Sequence, residues 1–116
     1  MTLVTLVAGR DAAAREVAIA ANLLAAPAQS TALVLEGMPA DTVRFDTSIM
    51  VSRIAPGCPC CTGRLTMQVT LNRLLRHPPA RLYISVADAT HLDAIRDFLT
   101  QPPYDKLLTL TEHFLV

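Results

Sequence analysis

Thr2-Leu3-Val4-Thr5-Leu6-Val7-Ala8-Gly9-Arg10-Asp11-Ala12-Ala13-Ala14 is the stretch that decides the fold. Seven β-branched and apolar residues run up to a glycine, and an aspartate then opens an alanine-rich segment. That order predicts a strand, a tight turn and a helix capped by Asp11. The strand is apolar at consecutive positions and not only at every second one, so both of its faces are expected to be buried. Such strands belong to parallel sheets covered by helices on either side. Val17, Ile19, Ala20, Leu23 and Leu24 continue the helix near helical spacing.

The pattern repeats along the chain. Residues 31–36 and 48–54 are two further apolar runs, separated by the polar, proline-containing residues 37–47. Leu65, Met67, Leu71, Leu74 and Leu75 predict a second helix, stopped by His77-Pro78-Pro79. Residues 82–87 read as another buried strand, and Thr90-His91-Leu92-Asp93 reads as a capping-box-like start to a third helix with Leu92, Ile95, Phe98 and Leu99 on its inner face. Residues 106–116 stay apolar to the end. The expectation is one α/β domain over residues 1–116, in three layers, with a mainly parallel sheet of about five strands flanked by helices.

Composition agrees and narrows the partners. A chain of 116 residues with 52% apolar and 17% charged residues has material for one core and does not resemble a disordered sequence. Ten basic residues balance ten acidic ones, so neither nucleic acid nor an anionic membrane is an expected partner. The longest uncharged stretch, residues 17–35, is broken by Asn22, Pro27, Gln29, Ser30 and Thr31, which disqualifies it as a bilayer span. No basic residue precedes the short apolar run that ends at Ala8, so no secretory leader is read and the cytoplasm is the expected compartment.

The most specific local feature is Gly57-Cys58-Pro59-Cys60-Cys61-Thr62-Gly63. Three sulfurs in four positions, between an apolar strand and a helix, fall near a helix amino terminus, where unpaired backbone N–H groups favour thiolate. Thiolate binds metal or attacks disulfides. Zinc takes four ligands, so two or three cysteines need a distant partner, and Glu36, Asp41, His91 and His113 have the right chemistry. Redox or sensing chemistry, and simple space filling by buried cysteine, are the competing readings.

On these residues the sequence resembles the CobW-type metallochaperone GTPases, whose hallmark is a Gly-Cys-x-Cys-Cys motif between a strand and a helix. The resemblance extends to the amino-terminal strand and glycine turn, the acidic residue after the second strand, and the helix that leads to the strand at 82–86. It implies a P-loop-NTPase-like half domain with Cys58, Cys60, Cys61 and Glu36 as candidate ligands for zinc or a similar divalent transition metal. It also places a phosphate site at Gly9 and Arg15. A phosphate loop reads Gly-x-x-x-x-Gly-Lys-Ser/Thr, in which backbone amides, a lysine and a magnesium-binding hydroxyl hold the nucleotide. Here Ala14 stands for the second glycine, Arg15 for the lysine and Glu16 for the hydroxyl, and Asp11 adds a carboxylate where phosphate would sit. Ser85 occupies the position of an acidic residue in the family's strand, Asp88 lies downstream, and no Asn-Lys-x-Asp motif is present. A shortened, non-hydrolysing relative without a working nucleotide site is expected.

The remaining polar residues have ordinary explanations. Arg15 on an alanine-rich helix reads as a solvated side chain, His91 as a helix-start residue, and Arg73, Arg76 and Arg81 as charges suited to a helix carboxyl end. No convincing nucleophile, base and orienting group emerge together, so no catalytic residue is assigned; a residual hydrolase or a thiol oxidoreductase is the weakest reading. Two readings from different classes remain. One is a metal-binding protein. The other is a structural or regulatory module that pairs with itself, with a metalloprotein or with a complete GTPase through apolar surface, including the end at Phe114-Leu115-Val116.

Overall fold

The computed structural model of the chain describes residues 2–25, 30–37, 45, 48–54, 64–111 and 113–116. The first strand, β1 (Thr2–Ala8), is followed by helix α1 (Ala12–Ala25) and by β2 (Thr31–Glu36) and β3 (Met50–Ile54). Helix α2 (Arg64–Leu74) then leads to β4 (Arg81–Val86), a 3-10 helix at Ala89–His91 and α3 (Leu92–Leu99). A second 3-10 helix, Tyr104–Lys106, precedes the short strands β5 (Leu108–Leu110) and β6 (Phe114–Leu115).

Among the described residues these strands form one sheet in the order β3-β2-β4-β1-β5, with β6 also beside β1. All of its pairings are parallel. β5 pairs with Thr2 to Val4 and β6 with Val7 and Ala8, so the two short strands occupy one lane along the same side of β1. The expected count of about five strands therefore holds as five lanes.

Side-chain alternation divides the core into two layers. Val4, Leu6 and Ala8 of β1, Ala32 and Val34 of β2, and Leu82, Ile84 and Val86 of β4 pack with Met67, Leu71 and Leu74 of α2 and with Leu92, Ile95, Phe98 and Leu99 of α3. The alternate residues Val7, Leu33, Leu35 and Tyr83 pack on the other face with Ile19 of α1. The three layers are thus built by strands apolar on both sides. The Phe98 and Tyr104 rings meet at 5.3 Å, closing the larger layer beside β5.

Two local expectations change. Ser48 and Ile49 form a turn, and β3 begins only at Met50. The cap before α3 is not Thr90. Asp88 accepts from Thr90 N at 2.9 Å and from its hydroxyl at 2.7 Å, so a 3-10 turn precedes the α-helix. An aspartate that can reach the backbone two residues on wins over the capping-box spacing.

Leu71 is fully buried whereas Val69, on the same helix, is about half exposed. Leu71→Ala should cost about 3 kcal/mol through the cavity it leaves. Val69→Ala should cost less than about 0.5 kcal/mol. Urea unfolding of the two variants beside the parent chain measures the difference.

Candidate functional site

Parallel pairing brings the carboxyl ends of four strands to one rim. Ala8 is in register with Val86, Leu35 with Ser85, and Glu36 with Ile54. Ligands of open α/β sheets bind outside such ends. Three residues, Gly9 to Asp11, connect β1 to α1. Asp11 caps the helix, its Oδ1 accepting from Ala13 N at 2.9 Å and more weakly from Ala14 N at 3.4 Å. A Cβ on Gly9 would run into the carbonyl oxygen of Val116, so position 9 has no room for a side chain.

Arg15 is not solvated. It is 1% exposed and lies under α1 against the centre of the rim. Its Nε donates to Ser85 Oγ at 2.6 Å and its Nη2 to the Glu36 carbonyl at 2.7 Å, while Nη1 donates to the Gly9 carbonyl. Burial pushes the guanidinium below its ordinary value, and the nearby Glu36, Glu16 and Asp11 pull it back up. It remains a cation at any physiological pH.

Glu16, likewise 1% exposed, forms a two-pronged pair with Arg53 of β3, each nitrogen to oxygen distance being 3.3 Å. Glu36 is 5% exposed, and its Oε2 accepts from Ala87 N at 3.3 Å. Gly37, next in the chain, has φ +106° and donates its N–H to the Ile54 carbonyl. A Cβ there would meet only ordinary contacts at 3.7 Å, so glycine is required by backbone conformation and not by space.

These placements decide what the rim can hold. A phosphate cradle needs a wide loop of free amides, an available cation and a metal-binding hydroxyl. Here the turn is three residues long, Arg15 is spent on three acceptors, and Glu16 stands paired with Arg53, so the described residues do not fit a nucleotide phosphate. For metal, the donors of interest divide. Cys58, Cys60, Cys61 and Asp41 lie outside the described residues, as does the side chain of His91. Among the described residues no three His, Cys, Asp or Glu side chains come together as a metal cage. His113 is beside Arg96 of α3, with Nδ1 at 3.3 Å from Nη1.

Glu36 is placed differently. It is the in-register neighbour of Ile54, and Ile54 is four residues before Cys58. Alternation along β2 puts its side chain on the face that carries Ala32 and Val34, the face covered by α2. The cysteine segment runs from the end of β3 to the start of that same helix. A cavity of about 390 Å³ lies elsewhere, at the amino-terminal ends of β2 and β3 between Thr31, Met50, Leu74 and Pro79. Among the described residues His77 is the one titratable group in its lining.

Comparison with known proteins finds a similarity to a protein described as a zinc chaperone. The match is to zinc chaperone YeiR of Escherichia coli (strain K12), with 41% identity over 66 residues, or 56% of this chain. The matched stretch is 20% of that protein, so the chain spans about a fifth of its relative's length. No family model matches the chain, and no solved structure matches it. Among the described residues no helix is long and apolar enough to cross a membrane.

The buried pairs were not legible as such, although a signal was present. Arg15, Ile19 and Leu23 recur at i, i+4 and i+8, which puts the arginine on the inner stripe of α1. Arg53→Met should destabilise the fold by about 2 kcal/mol or more, because it strands a buried carboxylate. Glu16→Gln should cost less, since the amide keeps an acceptor and Arg53 can turn toward water. Paired denaturant titrations of the two variants and their double substitution check the order.

Proposed function

We propose that the chain binds zinc or a similar divalent transition metal through the thiolates of Cys58, Cys60 and Cys61, with Glu36 as an oxygen donor, and does not hydrolyse GTP. The observation that carries this reading is the register of Glu36 beside Ile54, which puts a buried carboxylate on the residue from which the cysteine segment departs. Four residues of chain reach at most about 14 Å, a length that permits Cys58 to approach that carboxylate. The similarity to a protein described as a zinc chaperone supports the same metal class. Three thiolates and a carboxylate supply the four donors that zinc takes. Metal here is cargo or signal, held by soft ligands in a reducing compartment such as the cytoplasm, and the chain sequesters it, senses it or passes it to a metalloprotein.

The engaged Arg15 and Glu16 and the three-residue turn support the part of the reading that excludes nucleotide chemistry. Reduced protein should bind one zinc in competition with a chromophoric chelator. Cys58→Ser, Cys60→Ser and Cys61→Ser should each weaken binding by about tenfold or more, and Glu36→Gln by less. Cobalt substitution should give sulfur-to-metal charge-transfer absorption that the serine variants diminish. Retention of parental zinc affinity by all three serine variants would remove the reading. Calorimetric titration with GTP and magnesium should release no binding heat.

A second reading, a self-associating module, is favoured by apolar side chains that stay exposed along the β1 and β5 side of the sheet. Leu3 and Leu107 are each 42% exposed there, and Leu115 and Val116 are more so. Sedimentation velocity over a wide concentration range should show a dimer, and Leu3→Glu should shift it to monomer. A monomer at every concentration rejects that reading while leaving the metal site untouched.

A further inference from the structure

The guanidinium of Arg15 is held in an unusual manner for a buried cation. Its three hydrogen bonds go to uncharged oxygens: the carbonyl of Gly9 just past β1, the hydroxyl of Ser85 in β4 and the carbonyl of Glu36 at the end of β2. Each acceptor comes from a different strand of the rim, and the strands are neighbours in the order β2-β4-β1. The nearest balancing charges, Glu36 and Glu16, act through space, with Glu16 directly paired to Arg53. No buried side-chain nitrogen or oxygen lacks a partner among the described residues, so the arrangement is complete.

We propose that these three oxygens form a guanidinium-binding site at the carboxyl rim of the sheet, and that Arg15 fills it from within as a built-in ligand that ties β1, β4 and β2 together. Open α/β sheets leave this rim to be ordered by a bound small molecule. Here the chain supplies the group itself. The tie reaches further through the backbone: the Glu36 carbonyl that Arg15 grips precedes Gly37, whose N–H bonds the Ile54 carbonyl, and the Gly9 N–H bonds the Val86 carbonyl. Removing the arginine therefore leaves a cation-shaped vacancy with its acceptors unsatisfied, and loosens the ends of four strands together. This inference concerns the described rim alone and stands whether or not the cysteines bind metal.

Chemical rescue tests it. Arg15→Ala should lower the thermal midpoint by roughly 10 °C. Guanidinium ion or methylguanidinium at low millimolar concentration should then raise the midpoint of that variant by mass action, as any ligand specific to the native state does. Neither should raise it for the parent chain or for Leu71→Ala, a variant destabilised at a site with no cation cradle. Guanidinium is otherwise a denaturant, so a selective gain has no general-solvent explanation. Ammonium and urea, which lack the charged planar fork, should not rescue.

Equal responses of Arg15→Ala and Leu71→Ala to guanidinium would overturn the proposal, as would an Arg15→Met variant as stable as the parent. If Arg15→Ala does not fold, Arg15→Lys provides the readout, because one ammonium cannot span three strands. Native-state hydrogen exchange should then show the Gly9 and Gly37 amides opening well below global unfolding in that variant. Exchange of both amides at parental rates would refute the clamp.

Discussion

β4 is the strand on which the other elements depend. Leu82 to Val86 pair with β1 on one side and Ala32 to Leu35 pair with β4 on the other, so neither outer pair could form a continuous sheet without it. Its side chains face opposite layers in turn, with Ile84 and Val86 toward α2 and α3 and Tyr83 toward α1. Ser85 shares the α1 face and interrupts the apolar run with a hydroxyl. A buried hydroxyl needs a partner, and the partner here is a guanidinium. One serine in the central strand thus admits a charge into the interior, and that charge fixes the positions of the Gly9 and Glu36 carbonyls.

Charge balance at the rim follows from the same point. Arg15 and Arg53 are offset by Glu16, Glu36 and Asp11, which lie near the start of α1, at its cap or at the end of β2. A low-dielectric setting makes each of these groups costly alone and tolerable together. The cluster has no excess of positive charge, so it is poor at attracting a triphosphate by field and leaves recognition of a partner to local chemistry. The cysteines, with their affinity for soft cations, are the part of the sequence suited to that task.

Much of the fold was open to reading from the residues. β1 and β2 fall where the apolar runs placed them, because strands buried on both faces leave an unbroken hydrophobic signature. Asp11 caps α1 as its side-chain chemistry required. The start of α3 differs from the capping-box reading because Asp88 takes both the amide and the hydroxyl of Thr90, which turns that hydroxyl into a donor to the aspartate. Arg15 was the larger miss. Its charge outweighed its position on the stripe it shares with Ile19 and Leu23, and nothing local announces that Ser85, seventy positions away, would receive it. The proposed metal site has the opposite character: the thiol spacing and Glu36 are both read from sequence, and the fold adds the register of Glu36 with Ile54 at the end of β3.

The short turn between β1 and α1 bears on how such a chain changes over generations. Asp11 starts the helix three residues after the strand ends, and positions 14 to 16 are already helical, with Arg15 and Glu16 buried. Substituting glycine, lysine and serine at those positions would place the right letters in the wrong conformation, within a helix whose amides are already bonded. A phosphate-wrapping loop at this position demands extra chain between strand and helix as well as release of the arginine beneath it. A turn of this length is therefore closed to conversion by point substitution, and only an insertion begins to build such a loop.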